Sequence, residues 1–241
     1  MKRNVRPRSG VGAVALVAAT MAMAQPAAAD CDAMPAAQVD WNGCDKYKTT
    51  LSGMDFAGAD LTKAVLARSD LRKSNLTGAK LAEADLNRAA LDNAKLVKAV
   101  LDKADFGKSR LLGTDLSGAT GTNVDFSRAD LSGANLSGVN LQKADFGRAG
   151  LANAKLVGAD LTGSDLSRTD LTGADFANAN LTKVAFARAV LAKANLAGAN
   201  LDHADLYLAD LTGASLEGAK TDTARFCRTT MPDGTVNNKS C

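Results

Sequence analysis

The chain has 241 residues, 46% of them hydrophobic but only 4% aromatic, with one His, one Trp and a formal net charge of +3. That is enough for one sizeable domain, and the high apolar content excludes a chain too polar to fold. Beyond the first thirty residues no apolar run approaches the length of a membrane span, which excludes a stable membrane anchor there.

The first element is residues 1–29. Lys2, Arg3, Arg6 and Arg8 precede an apolar stretch from Val11 to Ala24, and Ala27 and Ala29 form an A-x-A site before Asp30. This is a secretory signal in outline, with cleavage expected before Asp30 and, as second choice, before Gln25 after Ala22-Met23-Ala24. Asp30 sits immediately before Cys31, where a lipoprotein signal requires a small residue, so lipidation is not expected. Without the signal, 25 Lys plus Arg face 26 Asp plus Glu, a net charge of about −1. The basicity belongs to the signal, and no nucleic-acid partner is expected from it.

Residues 30–50 follow no repeat and hold Cys31, Cys44, the single Trp (Trp41) and Tyr47. From Leu51 to Phe226 every fifth residue is Leu or Phe at 34 of 36 positions, the exceptions being Gly121 and Thr221. Two residues before each of these, from Met54 to Ala224, 25 of 35 positions are Ala. The unit is A-(D/N)-L-x-x, as in Ala159-Asp160-Leu161-Thr162-Gly163. Ala, Leu and Lys favour helix, but a five-residue period winds the Leu residues around a helix and places them alternately on both faces of a strand. An inward column forms only if the chain turns through about 90° per quintet, four quintets to a coil.

These residues resemble the pentapeptide repeat family, over residues 51–226. The resemblance implies an all-β fold, a right-handed quadrilateral β-helix of about nine coils and about 43 Å length, with the Leu or Phe and the small residue two before it inside. It also implies that residues 30–50 and 227–241 cap the ends, with Trp41 as lid on the first layer and Pro232-Asp233-Gly234 as a turn in a tail like that of exported members. Four Cys allow three connectivities. In the implied rod Cys31 and Cys44 lie at one end and Cys227 and Cys241 at the other, so the expected bridges are Cys31–Cys44 and Cys227–Cys241.

One face of the implied rod collects five of the seven Phe residues: Phe106, Phe126, Phe146, Phe186 and Phe226. Outside it Arg68, Arg88, Lys108, Arg128, Arg148, Arg168 and Arg188 recur every 20 residues beside an Asp column from Asp85 to Asp165. The expectation is two columns of opposite sign, each relieving the repulsion within the other. Near its end Tyr207 and Leu208 replace small and basic residues, and any partner is expected at Arg148, Arg168, Arg188, Tyr207 and Leu208. His203, the only His, falls at an outward repeat position with no second ligand implied, and no phosphate loop, nucleophile triad or metal motif is present. No catalytic residue, cofactor or metal is expected. The function expected is a non-enzymatic interaction scaffold of the bacterial cell envelope, periplasmic or secreted, for a protein partner or a second copy at one end of the rod. The alternative that the family resemblance implies is a DNA mimic that binds topoisomerases, which the export signal and the Arg column oppose.

Overall fold

A computed structural model describes residues 29–241. The expected signal segment lies outside the described residues except for Ala29, which packs partly against the core.

Every fifth residue from Asp40 to Asp210 pairs in parallel with the residue 20 positions on, from Asp40 with Asp60 to Asp210 with Thr230. The chain is therefore a right-handed four-sided β-helix with 20 residues per coil. Each side is too short to be a strand, and contributes one bridging residue per layer. The ladder starts at Asp40 and Trp41 fills the Leu register, so half of the expected N-terminal cap is already coil.

Backbone accounting explains the repeat unit. In Asp60-Leu61-Thr62-Lys63-Ala64, the Leu61 and Lys63 N–H groups donate to the next coil, at Lys80 and Ala82. Asp60 donates to Val39 of the previous coil, and Ala64 donates back to Leu61 across the corner. One N–H per quintet is left over, that of Thr62, and it donates to the Asp60 carboxylate at 3.1 Å. The same bond recurs at Asp70, Asp125, Asn135 and Asp175. The preference for Asp or Asn in this slot thus has a backbone cause, since the side chain satisfies a corner N–H, although the ladder also runs through Val65, Lys80, Ala90 and Gly150 in the same slot.

The third corner residue has positive φ, the turn geometry that favours glycine. Gly fills it at Gly58 and Gly138, but so do Lys63 (φ 57°), Arg148 (φ 61°) and Asn153 (φ 57°). The side chains there are unbranched at Cβ, and Thr223, the only branched one in the slot, lies outside the positive-φ region.

The interior is a stack of Leu and Phe layers with Ala between them. The expected aromatic column forms: Phe106, Phe126 and Phe146 stack at ring-centre spacings of 4.9 and 5.0 Å, and Phe186 meets Phe176 edge-on at 6.3 Å. Where Ser or Thr replaces the inward Ala, its hydroxyl donates to a core carbonyl, as Ser74 does to Leu71 and Thr114 to Leu91. Among the described residues no buried side-chain polar atom lacks a partner. Gly121 in a Leu position implies from sequence either an unfilled layer or a local bulge, and the structure has neither. The ladder runs through it, Val124 is fully buried beside it, and a Cβ there would meet Val124 at 2.9 Å and the Leu101 backbone at 3.0 Å. Met54 departs from the inward pattern: it is exposed, because its slot opens beyond the first coil.

Both disulfides form as paired above, with Cα separations of 5.4 Å for Cys31–Cys44 and 4.7 Å for Cys227–Cys241. Cys44 occupies an inward Ala slot. Trp41 is buried as the first layer, its Nε1 donates to the Ala33 carbonyl, and the Lys46 ammonium lies 4.1 Å from its ring centre. At the far end β1 (Thr229–Thr230) is the last rung, and β2 (Val236–Asn237) returns antiparallel to cover its edge. The expected turn joins them, with Gly234 at φ 83° and the Asp233 carboxylate accepting from Thr235. This lid is partial: a cavity of about 250 Å³ lined by Leu216, Thr221, Phe226 and Met231 stays open beside it.

Candidate partner-binding face

The face outside the Phe column carries three parallel rows, one from each outward position. The first row is Asp85 to Asp165, the second the small residues Gly107, Ser127, Gly147 and Ser167, and the third the cations. Each cation stands at positive φ, from Lys48 at 55° to Arg188 at 62°, so all project from the same side of their corners.

The expected ion pairing between the Asp and Arg rows is not present. The six ion pairs among the described residues are Lys63–Glu83, Arg72–Asp70, Lys80–Asp60, Lys103–Glu83, Arg110–Asp92 and Arg225–Asp205, and none uses a cation of this row. Asp105, Asp125, Asp145 and Asp165 turn one oxygen back onto their own corners, at 2.6, 2.7, 2.7 and 2.8 Å. That bond alone does not prevent pairing, since Asp60, Asp70 and Asp205 make it and still pair with Lys80, Arg72 and Arg225.

Small residues in the middle row make the space between the two outer rows an open groove of about 610 Å³, from Lys108 to Arg168. A Cβ on Gly107 or Gly147 would come within 2.9 Å of the Asp105 or Asp145 carboxylate as it stands, whereas Ser127 and Ser167 carry a Cβ at the same corner position beside Asp125 and Asp165. Arg148 and Arg168 line this groove, and Arg188 and Leu208 continue the cation row past it. Leu208 is exposed, whereas Tyr207 is half-buried with the Arg225 guanidinium 5.6 Å from its ring centre and held there by Asp205 at 3.3 Å. The expected apolar anchor is therefore Leu208 more than Tyr207.

Elsewhere the carboxylates are structural. Asp160 is pushed up by burial but pulled further down by the Thr162 hydroxyl and N–H and by the Gln142 and Asn180 amides, and lies below the usual carboxylate range. Asp70 is held low by the Arg72 guanidinium beside it. His203 is exposed, with its backbone N–H on Thr223. Among the described residues no group of His, Cys, Asp or Glu side chains is placed to hold a metal ion, and no helix is long and apolar enough to cross a membrane.

Pentapeptide repeats match the sequence in eight copies between residues 47 and 220. The chain is 31% identical to HetL, a pentapeptide repeat protein involved in heterocyst differentiation regulation in the cyanobacterium Nostoc sp. strain PCC 7120, over 83% of this chain and 92% of that one, with a TM-score of 0.29. It is 30% identical to a pentapeptide repeat protein of the Arabidopsis thaliana thylakoid lumen over 43% of this chain and 69% of that one, TM-score 0.27. The plasmid-mediated fluoroquinolone resistance protein QnrB1 is 21% identical over 75% of this chain and 88% of its own, TM-score 0.45. No curated protein sequence matches the chain significantly.

Proposed function

The chain belongs to the pentapeptide repeat family, and from that premise we propose that it is a non-enzymatic interaction scaffold of the cell envelope, exported to the periplasm or beyond. Two disulfides, one at each end, fit an oxidising compartment. The proposed domain plan is a signal over residues 1–29, a cap over 30–50, the repeat rod over 51–226 and a second cap over 227–241.

The observation that carries the reading is the bare cation row. Charges solely for solubility need no particular order, whereas here eight coils in succession present a cation at one corner, without a carboxylate paired to any. Arg148, Arg168 and Arg188, with Leu208 and the edge of Tyr207 beyond them, make a basic rim beside an apolar anchor, the composition of an interface centre. The protein partner is expected there. A DNA-mimic role needs an acidic rod, and the cation row opposes it. Sedimentation and pull-down from envelope extract test the reading with wild type and with Arg168→Gly/Arg188→Gly/Leu208→Ser. Glycine suits the positive-φ slot, so the variant keeps the fold. Loss of a specific partner or of self-association supports the scaffold, and an unchanged mass and partner set in the variant contradicts it.

A further inference from the structure

The two charged rows of the basic face share one period, since both advance by one ladder step, about 4.8 Å, per coil. From Asp85 with Arg88 to Asp165 with Arg168, five consecutive coils carry both signs, and the groove between the rows is open from Lys108 to Arg168. None of these groups joins an ion pair among the described residues. Asp125, Asp145 and Asp165 each spend one oxygen on a corner N–H and keep the other without a partner among the described residues. At the other three corners the third position never holds Lys or Arg in two successive coils. A partner that matches such a row needs opposite charges at the same spacing, and the chain itself carries them: the complementary row of a second copy.

We propose that this face pairs two copies of the chain side by side, with the rods parallel and a two-fold axis running along the groove. The operator follows from the order of the rows. A two-fold axis along the rod exchanges the two walls of the groove and leaves height along the rod unchanged, so the cation row of each copy lies opposite the Asp row of the other. Every coil then meets its own counterpart: Arg148 of each copy faces Asp145 of the other, and the same holds from the Asp85 coil to the Asp165 coil. Antiparallel rods, related by an axis across the groove, set Arg against Arg and Asp against Asp. Charge therefore selects one orientation and one register, and the shared ladder spacing keeps that register at every coil.

The interruptions of the rows fit the same arrangement. Val65 leaves Arg68 without a facing carboxylate, and Arg68 lies over the Tyr47 ring at 6.0 Å. Leu208 leaves Asp205 without a facing cation, and Asp205 is held by Arg225 at 3.3 Å. Arg188, opposite Ala185, is the cation that the pairing leaves unmatched. The small side chains of Gly107, Ser127, Gly147 and Ser167 let the two grooves close on each other. A narrow contact made of exposed ion pairs is weak, with a dissociation constant on the order of 10–100 μM at low salt.

This pairing rests on the scaffold reading of the basic face and names a second copy as one occupant of it. In dilute protein the copies separate and the face is free for a foreign partner.

The test is sedimentation equilibrium of the mature protein at up to about 0.5 mM, in about 20 mM and about 500 mM salt, where a dimer is expected at low salt and largely monomer at high salt. Arg128→Asp/Arg148→Asp/Arg168→Asp and Asp125→Lys/Asp145→Lys/Asp165→Lys each set like charges opposite one another in three coils, and each is expected to weaken the dimer about tenfold or more. The fold already holds Lys80, Lys95 and Lys155 in the Asp slot, and Asn123 and Asn153 at positive φ in the cation slot, a region that Asp also tolerates. The variant combining both sets exchanges the two rows and is expected to regain the dimer, as is a mixture of the two triple variants. Ser167→Cys, beside the axis, is expected to cross-link to its own counterpart, and in a mixture with Ser127→Cys no cross-link is expected to join the two positions. A wild type that stays monomeric at low salt, a dimer indifferent to either triple variant, no recovery in the combined variant or the mixture, or a cross-link joining Ser127→Cys to Ser167→Cys would overturn the proposal. The Cys pair needs no change to the charged rows, so it tests the register whichever triple variant folds. A foreign partner lost from the cation variant is not regained in the combined one, so the pull-down and the dimer fail independently.

Discussion

The Asp/Asn slot of the repeat is decided by a single N–H. Where Asp or Asn fills the slot, as at Asp60, four of the five backbone donors of the quintet find carbonyls in the coil and the fifth finds the side chain two residues before it. Asp and Asn serve equally as acceptors, so the slot tolerates a mixture and the choice between them is left to electrostatics. Asp160 shows this in titratable form. Its carboxyl is held below the ordinary value, so its contribution to stability is present above the unfolded value near 3.9 and is lost as pH falls through the lower folded value. The stability gap between wild type and Asp160→Asn is expected to shrink as pH is lowered from about 5 to about 2, followed by denaturation midpoints. A gap independent of pH contradicts the assignment. Gly121 is the other informative residue. Because Val124 and Leu101 already close around it, Gly121→Leu is expected to destabilise by about 1–3 kcal/mol, as overpacking does. A higher melting temperature in that variant would mean an unfilled layer.

At the scale of elements, the coil was legible in the sequence because its period is incompatible with both a helix stripe and a flat strand. The inward Leu and Ala columns, the Phe stack and the turn at Pro232-Asp233-Gly234 all follow from period and turn chemistry. The unpaired state of the Arg row did not, because charge columns read from sequence say which residues are neighbours and not which way a carboxylate turns. Met54 was misplaced for a different reason, since a repeat pattern carries no mark of where its first layer stops being covered. The two ends carry loops of 13 and 14 residues closed by disulfides, each worth on the order of 3 kcal/mol. Replacing Cys227 and Cys241 by Ala is expected to speed hydrogen exchange in the last coils while the Phe106–Phe146 coils keep their protection, because each layer touches only its neighbours. Loss of protection along the whole rod would show a more cooperative unit.

The whole molecule is a rod with one chemically distinct side. Its interior accounts for rigidity, and its corners accept any unbranched residue at the third position, so the surface is free to carry a pattern the fold does not dictate. The cation row from Lys48 to Arg188 is such a pattern, and it is the proposed binding surface. Arginine-selective labelling with phenylglyoxal, read by mass spectrometry with and without envelope extract, tests this most directly. Arg128, Arg148, Arg168 and Arg188 are predicted to become protected when extract is added, while Arg72 and Arg110, held by Asp70 and Asp92 on another side, keep their labelling rates. Protection spread evenly over all arginines, or absent from the row, would contradict the account.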